Sequence, residues 1–200
     1  MNNRSKTDLT ERAKRVNWIG VAAGVLMLIL PFLPWAWWSA SVGSGAANVG
    51  ISPFHVTISG FGEEFSLPII RYAVLGSKLV VLAGGMLMIV GSIMTERSWS
   101  KSLIKFGSTK VLWAILGLVA SVLVLSVIGN NFLDLGLPYL FGSETISFSG
   151  EVGPLEMPEG VSISLPMTMG FSRGFLLALF TAGLAIAARI FNERFTSSGT

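Results

Sequence analysis

Four apolar runs, each close to the length needed to cross a bilayer, constrain this chain more than anything else in it. They are Val16–Leu33, Tyr72–Met94, Val111–Gly129 and Phe171–Ile190. A helix rises 1.5 Å per residue, so about 20 such residues cross a hydrocarbon core of about 30 Å. Charge content agrees, because 12% of residues are Asp, Glu, Lys or Arg, about half the share of a soluble domain. The expected fold class is an all-α membrane bundle of four transmembrane helices, with the lipid bilayer as its first partner.

Charge placement sets the expected orientation. Arg4, Lys6, Arg12, Lys14 and Arg15 precede the first run, Arg97, Lys101, Lys105 and Lys110 separate the second from the third, and Arg189 and Arg194 close the fourth. Eleven of the fourteen basic residues thus fall on one side, and Arg71, Lys78 and Arg173 on the other with seven acids. Basic loops stay on the cytoplasmic face. The expected location is therefore the cell membrane with both termini cytoplasmic. Residues 1–15 read as a basic cytoplasmic tail, 95–110 as a cytoplasmic loop and 191–200 as a second tail. The tail is explained by topology and by attraction to anionic lipid, so no nucleic-acid partner is expected. A cleaved signal peptide, with Ser44-Gly45-Ala46 at its cleavage site, is the competing reading of the first run. That run is longer than a signal peptide's apolar core, which favours an uncleaved anchor.

An internal repeat divides the chain into residues 16–94 and 111–190. Ser66-Leu67-Pro68 and Ser164-Leu165-Pro166 align at an offset of 98 (164 − 66), which also pairs Gly76 with Gly174, Leu79 with Leu177 and Gly85 with Gly183. Thr57-Ile58-Ser59 and Thr145-Ile146-Ser147 precede them, each followed by Gly-Glu, and Val16-x-Trp18 is answered by Val111-x-Trp113. Each half reads as helix, strand, acidic turn, Ser-Leu-Pro, helix.

Between the apolar runs lie two outer segments. Residues 39–50 are rich in Gly, Ala and Ser and read as a flexible loop. Phe54–Ser59 alternates apolar and polar, as do Thr145–Ser149 and Val161–Leu165, and a period of two marks a strand with one buried face. Glu63–Leu67 adds a further short strand. A lone hairpin is marginal in water whereas three or more strands persist, so both segments are expected to pair into one small extracytoplasmic antiparallel β-sheet.

Little in the sequence suggests chemistry. Cysteine is absent and His55 is the lone histidine, which removes disulfides, iron–sulfur clusters and bis-histidine haem. Ionisable residues are nearly missing from the apolar runs, where catalytic and transport groups usually show. Lys78 reads as a snorkelling interfacial anchor. Trp35, Trp37 and Trp38 read as an interfacial belt, with an aromatic wall for a quinone or lipid as the sharper alternative. Glu63, Glu64, Asp134, Glu144, Glu151, Glu156 and Glu159 read as a solvated acidic rim. No catalytic, cofactor-binding or metal-binding residue is assigned. Gly20-x-x-x-Gly24, Gly117-x-x-x-Ser121 and the series Gly174, Ala178, Ala182 supply small-residue ladders for helix packing, within the chain or in an oligomer.

Four helices, cytoplasmic ends and β-forming outer segments resemble the claudin layout. The resemblance is one of topology: the paired cysteines that accompany that family's tryptophan motif are missing here. It implies a bundle with a β cap, and carries no residue over. The expected function is a non-enzymatic scaffold, adhesion or accessory subunit with a protein partner at its outer loops. The alternatives are a small transporter or channel component with a pathway between the two halves, or an accessory subunit of a respiratory complex.

Overall fold

Asn17 opens the first helix, α1 (Trp18–Ile29), because its side-chain oxygen accepts from the Gly20 N–H at 3.1 Å and so satisfies one of the amides that a helix start leaves unpaired. The structure, a computed structural model, describes residues 16–65, 68–132, 142–148 and 163–197. A 3-10 turn, Leu30–Phe32, continues α1 until Pro31 and Pro34 stop it. Then come β1 (Trp38–Val42), β2 (Ala47–Ser52), β3 (His55–Gly60) and β4 (Glu63–Phe65). Helix α2 (Pro68–Ile93) begins on a proline, whose fixed φ and missing N–H suit a first helical turn. Helix α3 (Ser100–Phe132), strands β5 (Gly142–Phe148) and β6 (Ile163–Phe171), and helix α4 (Arg173–Ser197) complete the order.

Among the described residues, six strands form one sheet in the order β4-β3-β2-β1-β6-β5, antiparallel throughout. The join between the two outer segments is β1 with β6, where Trp38 faces Phe171, Ala40 faces Met169 and Val42 faces Met167. Alternation then divides the sheet into two faces. Trp38, Ala40, Val42, Val49, Ile51, Met167, Met169 and Phe171 gather into an apolar core around Val122 of α3. Ser39, Ser41, Asn48, Gly50, Thr57 and Thr168 occupy register positions on the opposite face.

Several boundaries differ from the sequence reading. The expected flexible loop at residues 39–50 is mostly strand: Trp38-Ser39-Ala40-Ser41-Val42 and Ala47–Ser52 pair in full register. Most of the expected cytoplasmic loop at 95–110 is helix, since α3 starts at Ser100. Its first turns are amphipathic: Ile104, Gly107, Ser108 and Val111 are buried while Lys101 and Lys105 are exposed, and that spacing carries the helix back to Ser100. Pro166 lies inside β6, opposite Thr145 of β5, and α4 begins only at Arg173. The two Ser-Leu-Pro landmarks thus end differently, Pro68 as the first residue of a helix and Pro166 within a strand.

Helices α2, α3 and α4 are long and apolar enough to cross a membrane. Of their most apolar windows only 22%, 28% and 39% is buried. Trp113, Leu116, Leu125, Leu176, Phe180 and Ile190 are among the side chains left outside. Apolar surface on that scale is not sustained in water, and it supports a membrane protein. Helix α1 has 12 α-helical residues, which span about 18 Å at 1.5 Å each.

The chain divides into two compact units. One comprises Met1–Leu33, Leu75–Ile115 and Leu176–Thr200. Asn17 is its hub: the backbone N–H donates to Ser92 O at 2.9 Å and Nδ2 donates to Ala188 O at 2.8 Å, tying α1 to α2 and α4. Glycines allow the helices to touch there. A Cβ on Gly24 would lie 2.9 Å from Gly85 O, and one on Gly107 would lie 2.6 Å from Gly84 O. Ala178, Ala182, Ala185 and Ala188 form the buried stripe of α4. The other unit, Pro34–Val74 and Leu116–Phe175, holds the sheet.

Candidate functional site

The candidate site lies on the sheet and is built from very small side chains. Ala36, Ser39, Ser41, Asn48, Gly50 and Thr57 from the first outer segment, with Thr168 and Gly170 from the second, line a groove of about 430 Å³. That volume falls within the roughly 300–1,000 Å³ of ligand pockets. The floor depends on the absence of side chains: a Cβ on Gly50 would come within 2.7 Å of Thr57 Oγ1 and 3.1 Å of the Ala36 Cβ. Register explains why these residues meet. Gly50 sits opposite both Ser39 of β1 and Thr57 of β3, and Ser39 sits opposite Gly170 of β6.

A packed aromatic layer holds the β1 and β6 ends in place. Trp37 is almost fully buried and meets the Phe54 ring edge-on at 5.4 Å and the Phe175 ring at 6.4 Å. Phe171 stacks on Phe175 with centroids 4.2 Å apart. The Trp37 N–H donates to Ile51 O and its carbonyl accepts from Ser172 N–H, both at 2.9 Å. Ser172 also donates its hydroxyl to Ala36 O and caps α4 by accepting from Gly174 N–H at 3.1 Å. Gly174 has no room for a side chain, since a Cβ would sit 3.1 Å from both Trp35 Cβ and Trp37 Cδ1.

The groove offers hydroxyls, one carboxamide and backbone beside the apolar Ala40, Val49, Met169 and Phe171, and none of its lining residues is ionisable. Such a set exchanges hydrogen bonds with a ligand. It supplies no acid, base or activated nucleophile.

The residues singled out by sequence are scattered. His55 is exposed on β3. Lys78 is half-buried on α2. Glu63 and Glu64 are exposed on the edge strand β4. Glu144 is in β5, opposite Met167. Asp134, Glu151, Glu156 and Glu159 lie outside the described residues. Among the described residues, no three His, Cys, Asp or Glu side chains stand together. The tryptophan triplet is chiefly core: Trp37 and Trp38 are buried, and Trp35 alone is about half exposed. That corrects the interfacial-belt reading, and the cause is β pairing, which draws Trp37 and Trp38 into the sheet. The Trp38 indole N–H finds no acceptor among the described residues.

Sequence reasoning missed the groove because its walls are Ser39, Ser41 and Gly50, the residues that had suggested a loop. The break expected at Gly60-Phe61-Gly62, between two short strands, is the tip of the β3–β4 hairpin, where Phe61 is exposed with φ 52° and Gly62 has φ 86°. Two consecutive positive φ values are the signature of the tight turn that matches strand twist, and Gly60-Phe61-Gly62 was the available signal. No protein-family model matches the chain, and no curated protein is significantly similar to it.

Proposed function

We propose that this chain is a non-enzymatic, four-span membrane protein whose sheet faces the extracytoplasmic side as a docking surface for a partner protein, in a scaffold, adhesion or accessory role. The observation that carries the proposal is the uncharged groove whose hydroxyls, from Ser39, Ser41, Thr57 and Thr168, stand at register positions opposite the sheet's apolar core. A sheet face lined with hydroxyls can meet a polar protein surface by direct hydrogen bonds and through bridging water. In this reading α1, with the apolar residues that flank it, is the fourth span. Both termini are then cytoplasmic, as the basic residues favour. The layout is claudin-like in topology alone.

The same reading treats the two halves as a diverged duplication. Thr57-Ile58-Ser59 lies on β3, where Ile58 and Ser59 pair with β4, the strand that precedes α2. Thr145-Ile146-Ser147 lies on β5 and pairs with β6, the strand that leads to α4. This correspondence supports a common hairpin. The helices have diverged: Gly85 packs against Gly24 while its counterpart Gly183 has nothing near it, and Gly174 packs on Trp37 while Gly76 has open space.

A photo-crosslinking residue at Ser39 or Thr168 tests the proposal in native membranes. The expected result is one adduct of defined mass from both groove positions, absent from a lipid-facing control at Trp113 and lost when Thr57→Arg blocks the groove. Identical adducts from all three positions, or none from the groove, would contradict it.

A further inference from the structure

Among the described residues Phe61 is the one non-glycine residue with a positive φ, 52°, and its side chain is 93% exposed. Turns of this kind prefer asparagine before the glycine, because a large side chain is crowded in the left-handed region. Packing does not offset that cost, since the ring stands almost wholly outside. The backbone beneath it is nonetheless well held. The Phe61 N–H donates to Ala46 O at 2.7 Å, and Gly60 sits opposite both Ala47 of β2 and Glu63 of β4. A strained aromatic, exposed and firmly presented, points to a contact made with another molecule.

Register places this tip at one end of the sheet. Val42, Ala47 and Gly60 stand side by side there, with Met167 beyond Val42. At the other end Trp38 pairs with Phe171, from which the chain passes into α4. Glu63 and Glu64 follow the tip and are exposed, and Phe65 after them is about half exposed.

Charge decides what can cover the ring. An anionic membrane surface repels two adjacent carboxylates. A second copy meeting this one sheet to sheet would bring up seven acidic residues against Arg71 and Arg173 from the same unit. An added strand is disfavoured as well, because β4 ends the sheet with three residues, two of them these glutamates. A side-chain contact with a basic protein surface meets none of these objections.

We infer that Phe61 anchors this end of the sheet to a partner protein, its ring filling an apolar pocket rimmed by lysine or arginine that pairs with Glu63 and Glu64. The inference rests on the docking role proposed for the sheet and adds to it a contact outside the groove.

The photo-crosslinking amino acid p-benzoylphenylalanine in place of Phe61 tests it, in the full chain and in native membranes. One protein adduct is expected, its crosslinked peptide holding lysine or arginine beside apolar residues. Glu63→Lys/Glu64→Lys, at exposed positions, should lower the adduct yield roughly fivefold, the scale of two exposed ion pairs turned to repulsion. The partner so identified is then followed by co-purification with chains that lack the crosslinker. Phe61→Asn should reduce its recovery by about tenfold or more, as for an aromatic hot spot. The same variant should melt roughly 2–4 °C higher, because the turn relaxes. A lipid adduct, an adduct of two copies of this chain, or a yield indifferent to the charge reversal would overturn the inference. So would a Phe61→Asn chain that keeps the partner or melts lower. Adducts from Ser39 and Thr168 with none from position 61 would overturn it and leave the groove reading in place, whereas silence at all three positions would remove both.

Discussion

Gly107 and Gly117 are both helical glycines of α3, yet the structure gives them opposite roles. A Cβ on Gly107 would be driven to 2.6 Å from the Gly84 carbonyl oxygen and 2.9 Å from Met88 Cβ, whereas one on Gly117 meets nothing within 4 Å. Backbone cannot yield as a flexible side chain can, so Gly107→Ala should destabilise the protein by about 1–3 kcal/mol, the usual cost of overpacking. Gly117→Ala should instead be neutral or stabilising by up to about 1 kcal/mol, because it removes glycine's backbone entropy from a helix. Thermal unfolding of the two variants checks this. Equal melting temperatures would mean that α2 and α3 do not approach at Gly84 and Gly107. The sequence pointed to Gly117-x-x-x-Ser121, a pair that turns outward, with the Ser121 hydroxyl donating to its own helix at Gly117 O. Spacing reveals that two small residues share a helix face. It does not reveal whether another helix lies against that face, and for this reason Gly20 and Gly24 were legible partners while Gly84 and Gly107 were not.

Among the elements, strand β1 decides whether there are two outer hairpins or one sheet, since among the described residues it is the strand that joins the first outer segment to β6. Ser41 sits directly opposite Thr168, and residues so opposed in an antiparallel pair have Cα atoms about 4.5–5.5 Å apart, within disulfide reach. The chain has no cysteine, so Ser41→Cys/Thr168→Cys should form an intramolecular disulfide on mild oxidation, read as a gel shift reversed by reductant. Ser41→Cys/Gly170→Cys, displaced by two residues to about 7–8 Å, should form it poorly. Equal yields would dissolve the register. The strands legible in the sequence were those with strongly contrasted alternation, Phe54–Ser59 and the segments around Ile146 and Ile163. Strand β1 alternates as well, with Trp38, Ala40 and Val42 inward, but Ala and Ser differ too little in hydropathy for the period to stand out. Sheet pairing, not local preference, makes it a strand. The start of α3 was hidden for a related reason: lysines at 101, 105 and 110 mimic a loop until the buried Ile104, Gly107 and Val111 are seen between them.

For the whole molecule, composition and apolar run length carried the membrane assignment, and α2, α3 and α4 agree with it. The groove could not be read in advance, because its two walls come from segments more than 100 residues apart, Ser39 to Gly50 and Thr168 to Gly170. The proposed topology puts the sheet, to which both outer segments contribute, on the extracytoplasmic side and the basic turn before α3 on the cytoplasmic side. Single cysteines in the cysteine-free chain, at Ser41, at Thr168 and at Ser98, exposed to a membrane-impermeant maleimide on intact cells, test that most directly. Labelling is expected at Ser41→Cys and Thr168→Cys without permeabilisation, and at Ser98→Cys only after it. Protection of either sheet position alone, or labelling of Ser98→Cys in intact cells, would contradict it.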